Sequence, residues 1–294
     1  MYTARLNSFG AMIADEARND ALAAAVQAIV SKGDIVIDLG AGCALLSILA
    51  ARSGAAAVYS IEADPFMAEV ARQTIEENGC TDRVTVIAQH SQNWDPPEPA
   101  DVLISETLGF AIFDEGLAPT LADGCERFLK PKGRIVPNRL EITAALACAP
   151  LVAIPDQVHG VLIKTLKRLL SQCFHRVELK SDQIISRPIV LADYCTSMLP
   201  EAPTFARTCS FKTVRSGCNV GLAIWFSAAL TGELTLTNNP LAVPTHWGQT
   251  FLPFCEEAAT LGEDEAVECE IRMLTKNKRL HFDWSARRVA GEDR

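Results

Sequence analysis

Ile35-Val-Ile-Asp-Leu-Gly-Ala-Gly-Cys-Ala44 decides the fold. Ile35–Leu39 is a nearly continuous apolar run, the pattern of a strand covered on both faces. Gly40 and Gly42 follow at once. Glycine lets the backbone turn sharply and lets a ligand approach the main chain. A helical stretch, Ala44–Ser53, comes next, and the following strand ends in Glu62, 22 residues past Gly40. An acid at the end of the second strand of such a unit can accept hydrogen bonds from both ribose hydroxyls.

Outward from this stretch the alternation continues. Strands are expected at Val58–Glu62, Val84–Ala88, Val102–Ser105 and Arg134–Val136, and helices at Pro65–Asn78 and Glu115–Phe128. A further helix is expected upstream, from about Met12 to Val30. Strands alternating with helices make a parallel sheet with helices on its faces, a Rossmann-like α/β fold. A dinucleotide fingerprint, GxGxxG, needs a small residue at position 45, where the chain has Leu45. The pattern GxGx[GA], with Ala44 last, suits S-adenosylmethionine instead. Asp38 ends the strand before the turn, and Ser91 and Gln92 follow the third strand at a distance that suits the adenine.

After Leu140 the pattern changes to β-type runs punctuated by turns. They are Glu141–Leu146, Ser186–Ala192, Phe205–Val214, Leu222–Leu230, Gln249–Phe254, Val267–Leu274 and Leu280–Ser285. This predicts a mainly antiparallel β-barrel domain, interrupted by one helical insertion at Val161–Gln172. The expected division is residues 1–137 for the cofactor domain with its N-terminal helix and 138–294 for the barrel, with a helical arm at about 155–182.

Composition narrows the function classes. Apolar residues are 49% and charged residues 21%, as in soluble globular proteins. No apolar run reaches the roughly 20 residues that span a bilayer, and no secretory signal pattern is seen. The net charge is −9 with scattered Lys and Arg, against the basic footprint of a nucleic-acid binder. The 10 cysteines form no CxxC pair, so they read as reduced thiols of a cytoplasmic protein that holds no metal.

The fourth strand runs into Ser105-Glu-Thr-Leu-Gly-Phe-Ala-Ile-Phe-Asp-Glu115. Ligands of open parallel sheets bind at the carboxyl ends of the strands. That places Glu106 beside the cofactor, and Glu115 returns across a loop containing Gly109. Two carboxylates facing one pocket repel each other unless a cation lies between them. A guanidinium fits, being planar, always charged and able to fork toward carboxylates.

These residues resemble the protein arginine methyltransferase family. The family's double-glutamate loop, S-E-x-x-G-[YF]-x-x-x-x-E, is matched by Ser105–Glu115, and its Thr-His-Trp-x-Gln-Thr segment by Thr245-His-Trp-Gly-Gln-Thr250. Its first helix, M-x-x-D-E-x-x-R or nearly so, is approached by Met12-Ile-Ala-Asp-Glu-Ala-Arg18, one residue shorter. The resemblance runs from about Phe9 to Trp284.

It implies an S-adenosylmethionine-dependent enzyme, releasing S-adenosylhomocysteine, that methylates a guanidinium. Arg18 would pair with the cofactor's methionine carboxylate, Gly40 and Gly42 would pass under it, and Glu62 would hold the ribose. Glu106 and Glu115 would clamp the acceptor. His246, paired with Asp15, would help with the proton, and Met12 would limit space at the acceptor nitrogen. It also implies a homodimer through the arm.

The departures bear on the acceptor. The closing N-terminal helix is expected to be short, with only Tyr2 and Phe9 as its aromatics. The tryptophan and methionine often found after the first glutamate are Thr107 and Leu108, and Leu117 stands where a methionine is common. The acceptor expected is arginine in a protein. Free arginine or another guanidino compound is the alternative, then a small-molecule methyltransferase acting on another nitrogen or oxygen, and more remotely an inactive scaffold of the same fold.

Overall fold

A computed structural model describes residues 2–149, 155–254, 259–276 and 279–289. The chain divides into two compact units. The first comprises residues 1–140, 193–203 and 227–237, and the second 141–192, 204–226 and 238–294.

In the first unit the elements are α1 (Tyr2–Ile13), α2 (Glu16–Ile29), β1 (Ile35–Leu39), α3 (Leu45–Arg52), β2 (Ala57–Ile61), α4 (Pro65–Glu77), β3 (Val84–Ile87), β4 (Ala100–Ile104), α5 (Leu117–Arg127) and β5 (Leu129–Val136). The five strands form one sheet in the order β3-β2-β1-β4-β5, all pairings parallel. All five residues of β1 are buried, as its apolar run requires of a central strand. With the order reversing between β1 and β4, the carboxyl ends of these two strands flank the switch point where open sheets take ligands.

The expected single helix from Met12 to Val30 is two helices. Asp15 adopts an extended conformation, and its carboxylate accepts the Arg18 backbone N–H at 3.0 Å, capping α2. A short acid at an N-cap competes with the helical ladder, so α1 stops at Ile13. Asp64 caps α4 in the same way, with Pro65 in the first helical turn.

The second unit is antiparallel, as expected. Its strands include most of β6 (Arg139–Cys148), then β7 (Gln157–Val158) and β8 (Val161–Leu162), which pair as a hairpin. Next come α6 (Lys164–Leu170), β9 (His175–Val177), β10 (Ile189–Cys195), β11 (Phe205–Lys212), β12 (Gly217–Cys218) and β13 (Val220–Thr231). β14 (Leu234–Thr237) and the far end of β13 fall in the first unit, and the second continues with β15 (Gln249–Pro253), β16 (Thr260–Leu261), β17 (Ala266–Lys276) and β18 (Arg279–Val289). One sheet runs β10-β6-β13-β15-β9, with β14 paired to the far end of β13. A second runs β11-β17-β18, and β12-β16 form a short pair. A core of Ala145, Ala147, Ile184, Ala223, Trp225 and Phe251 fills this unit.

Two expectations are corrected here. The insertion helix covers only Lys164–Leu170, because Val161 and Leu162 belong to a hairpin turned by His159 and Gly160, both at positive φ. The strand expected at Ser186–Ala192 starts at Ile189, since Pro188 offers no N–H to a ladder.

Candidate active site

The glycine turn after β1 is built as its sequence demands. Gly40 has φ +76° and Gly42 φ +56°, the left-handed region that disfavours a side chain. A Cβ on Gly40 would lie 2.5 Å from the Thr107 methyl, and one on Gly42 would lie 3.0 Å from the Phe9 ring. Phe9, on α1, therefore lies against the turn, and Thr107 packs where the turn leaves no other room.

Glu62 meets this turn directly. Its Oε2 accepts the Gly42 N–H at 2.9 Å, and its Oε1 accepts the Asp64 N–H at 2.8 Å. Asp38 lies beneath, almost fully buried, and accepts the Ser47 hydroxyl at 2.7 Å. Burial pushes its carboxyl up to about 6, against the pull of Ser47 and with smaller contributions from Glu62 and Glu106.

Ser91 is buried and Gln92 exposed, on a short 3₁₀ turn after β3. This turn is held by a residue the sequence reading missed. Arg127, in the last turn of α5, donates to the Ser91 carbonyl at 3.1 Å and the Trp94 carbonyl at 2.6 Å. Its ion pair with Asp123 at 3.0 Å, one helical turn back, is the local signal that was available.

Glu106 follows β4. Its side chain is 5% exposed and forms an ion pair with Arg18, whose side chain is also 5% exposed. The Glu106 Oε2 accepts from Arg18 Nε at 2.9 Å and from Nη2, while Oε1 takes the Leu108 N–H at 3.2 Å. Arg18 Nη1 donates to Asn19 at 2.7 Å. Thus the guanidinium on Glu106 is that of Arg18, which was expected to pair with the cofactor's methionine carboxylate, and not that of an acceptor. Met12 is half-buried on α1, and Asp15 is the α2 cap described above.

Between the two glutamates the chain makes a tight hairpin. Gly109 and Ile112 form an antiparallel bridge, and the Ile112 N–H donates to the Gly109 carbonyl at 2.9 Å. Leu108, Ala111, Ile112 and Phe113 are buried beneath it, whereas Glu115 is exposed. The Glu115 carboxyl is pushed up to about 7 by desolvation first, then by the charges of Asp114 and Glu106, with Arg18 pulling it back. Exposure lets water moderate the desolvation, but both neighbouring carboxylates act in the same upward direction.

His246 is in the second unit. Its ring lies 4.1 Å from that of Trp247, tilted by 38°, and Trp247 meets Phe226 edge-on at 5.3 Å. Polar side chains that the sequence reading did not single out lock this segment. Asn238, 1% exposed, donates to the Gly248 carbonyl at 2.5 Å and accepts the Phe226 N–H at 2.8 Å. Gln249 donates to the Asn238 carbonyl at 2.7 Å and accepts the Leu179 N–H at 2.8 Å. Arg176 donates to the carbonyls of His246 and Trp247.

Residues 21–137 match the family model for ribosomal protein L11 methyltransferase, and residues 149–286 match that for the arginine methyltransferase oligomerization subdomain. An arginine N(omega)-methyltransferase from Streptomyces achromogenes subsp. streptozoticus is 31% identical over 254 residues, covering 83% of this chain and 70% of the relative. The chain belongs to the arginine methyltransferase family. Protein arginine N-methyltransferase 6 of Xenopus tropicalis is 27% identical, over 89% of this chain and 82% of the relative. The fold matches the Trypanosoma brucei PRMT1 enzyme–prozyme heterotetrameric complex with AdoHcy at a TM-score of 0.84 and 20% identity, covering 96% of this chain and 93% of that one. This arginine methyltransferase is therefore an S-adenosylmethionine-dependent enzyme. Its own residues fit that cofactor, with a glycine turn free of Cβ atoms beside a strand-end carboxylate. Among the described residues no group of three or more potential ligands could hold a metal.

If Glu115 contacts the acceptor, its raised carboxyl fixes the sign of a pH dependence. A cationic acceptor needs the carboxylate ionised, and that form is scarce below the raised value. Hence kcat/KM for a guanidinium acceptor climbs about tenfold per pH unit below roughly pH 7 and levels off above it. A profile flat from pH 6 to 8 contradicts the assignment of Glu115.

Proposed function

We propose that this arginine methyltransferase transfers methyl to the guanidinium of arginine in proteins, with Glu106 and Glu115 as the acceptor clamp. The observation that supports the reading is a buried Glu106 carboxylate able to take two N–H donors of a guanidinium, here those of Arg18, on one oxygen, close enough to a second carboxylate, Glu115, to disfavour its ionisation.

When bound, S-adenosylmethionine supplies an electrophilic methyl group carried on a sulfonium. The protein's work is then placement. Gly40 and Gly42 let the main chain turn tightly under Thr107 and Phe9, Glu62 offers two carboxylate oxygens to the ribose, and Ser91 and Gln92 border the adenine. Asp38, buried at the end of β1, supports the turn. Arg18 offers its guanidinium to the cofactor carboxylate, and Met12 bounds the acceptor nitrogen. A guanidinium is a weak nucleophile because its lone pairs are delocalised. Carboxylates on two of its nitrogens draw positive charge toward themselves, leaving the third richer in electrons. One N–H proton leaves after transfer, and Glu115 accepts it; a part for His246 and for Asp15 in proton transfer is supported by their sequence segments alone.

Replacing Glu106 with Gln keeps the shape and a hydrogen-bond acceptor but removes the charge. Methylation in E106Q falls at least about 10²-fold, while calorimetry still detects S-adenosylhomocysteine binding. Wild-type turnover by E106Q excludes the clamp.

A second reading takes free arginine as acceptor. It is favoured by the Streptomyces relative, an arginine N(omega)-methyltransferase, whereas the Xenopus relative, a protein arginine N-methyltransferase, and the net charge of −9 suit arginine-rich protein segments. Millimolar free arginine leaves peptide methylation nearly unchanged if affinity comes from the surrounding chain. Strong suppression favours the small acceptor.

Closure of the antiparallel sheets into a barrel, a cytoplasmic location and a homodimer belong to the same proposal. The nine described cysteines are free thiols, which supports the location; Cys255 lies outside the described residues. The dimer is supported by the arm, where Val161 and Leu162 are about two-thirds exposed and Val158, Leu166 and Leu169 about half, a cluster of apolar surface that marks an interaction site. Sedimentation equilibrium at micromolar concentration gives twice the chain mass, and V161D with L166D gives the monomer. A wild-type monomer overturns the assembly.

A further inference from the structure

Neither the double-glutamate pattern nor the chemistry above uses Asp114, yet the loop between the glutamates is built around it. Asp114 Oδ1 accepts the Ala111 N–H at 3.1 Å. A Cβ on Gly109 would lie 1.8 Å from that same oxygen, so the carboxylate occupies the space that the glycine leaves. Two more bonds close the turn, Ile112 N–H to Gly109 carbonyl and Phe113 N–H to Ala111 carbonyl, each at 2.9 Å. The turn is costly without such support. Ile112 sits at φ +75°, a left-handed conformation that a β-branched side chain resists, and Gly116 at φ +86° then starts α5.

The loop sets where Glu115 stands relative to Glu106, because only nine positions separate them and four of the intervening side chains are buried. Asp114 also carries a negative charge one residue from Glu115. The charged groups acting on Glu115 are Asp114 and Glu106, which disfavour its ionisation, and Arg18, which favours it.

We propose that Asp114 is a positioning residue of the acceptor clamp, whose carboxylate closes the loop between Glu106 and Glu115. The inference rests on the clamp reading above. Its consequence is a division of labour. Glu106 and Glu115 touch the acceptor, and Asp114 fixes their spacing, while its charge adds to the desolvation that disfavours ionisation of Glu115.

Two variants of the full chain separate the roles. Asp114→Asn keeps an oxygen for the Ala111 N–H and loses the charge. Asp114→Ala loses both. In D114A the Ala111 amide exchanges with solvent at least about tenfold faster, and kcat/KM on an arginine peptide falls at least about tenfold across the pH range, with affinity for S-adenosylhomocysteine within about threefold of wild type. In D114N the exchange stays near wild type, the activity plateau stands well above that of D114A, and the midpoint of the acid limb moves down by about half a pH unit or more. Wild-type exchange and wild-type turnover in D114A overturn the positioning role. An unmoved midpoint in D114N overturns the charge role. If the wild-type protein methylates no guanidine, the clamp reading fails, and the exchange difference between D114A and D114N still decides whether Asp114 closes the loop.

Discussion

The ion pair between Arg18 and Glu106 is the interaction on which the rest of the first unit's site depends. Both side chains are almost wholly removed from water, and they join α2 to the chain leaving β4, 88 positions apart. Removing one partner of a buried pair typically costs about 3–5 kcal/mol, because the other charge is left unpaired. The pair therefore constrains both elements. Asp15 must cap α2 so that Arg18 falls in its first turn, and Ser105, fully buried and bonded to the Leu39 carbonyl at 3.1 Å, must fix the exit of β4.

Around this pair the charges are balanced rather than neutralised. Asp38, Glu62, Glu106, Asp114 and Glu115 all lie in the first unit, and the burial of Asp38 and the crowding of Glu115 push both carboxyls up. Such perturbed acids cluster where a protein is prepared for a charged ligand. A cation entering beside Glu115 relieves the repulsion from Asp114 and Glu106. A neutral phenol does not.

Much of the fold was legible from sequence because the parallel sheet writes itself in apolar runs. β1, β2, β3 and β4 were each found within two residues of their ends, since continuous burial leaves no ambiguity of face. What escaped was decided by single residues or by distance. The break between α1 and α2 depends on one capping carboxylate, which alanine-rich flanks conceal. β9 and β14 have three and four residues, too few for a periodicity. At the site, the sequence named the glycines and the acids, and Gly42 and Glu62 do meet in a hydrogen bond. It did not reveal that Arg18 lies on Glu106, that Arg127 holds the turn at Ser91, or that Asn238 and Arg176 anchor the His246 segment. Those contacts join positions about 10 to 90 apart, and no local pattern encodes them. Nor did the sequence reveal that the Thr107 methyl packs against Gly40.

The most direct measurement is mass spectrometry of acceptors after incubation of the full chain with methyl-labelled S-adenosylmethionine. Arginine-rich peptides, free arginine, simple amines and phenols are offered at equal concentration. The proposed clamp of a buried Glu106 and an exposed Glu115 predicts label on a guanidino nitrogen of peptide or free arginine, absent from the amines and phenols. Label confined to a non-guanidine nitrogen or oxygen, or no label on any acceptor while the cofactor binds, contradicts it.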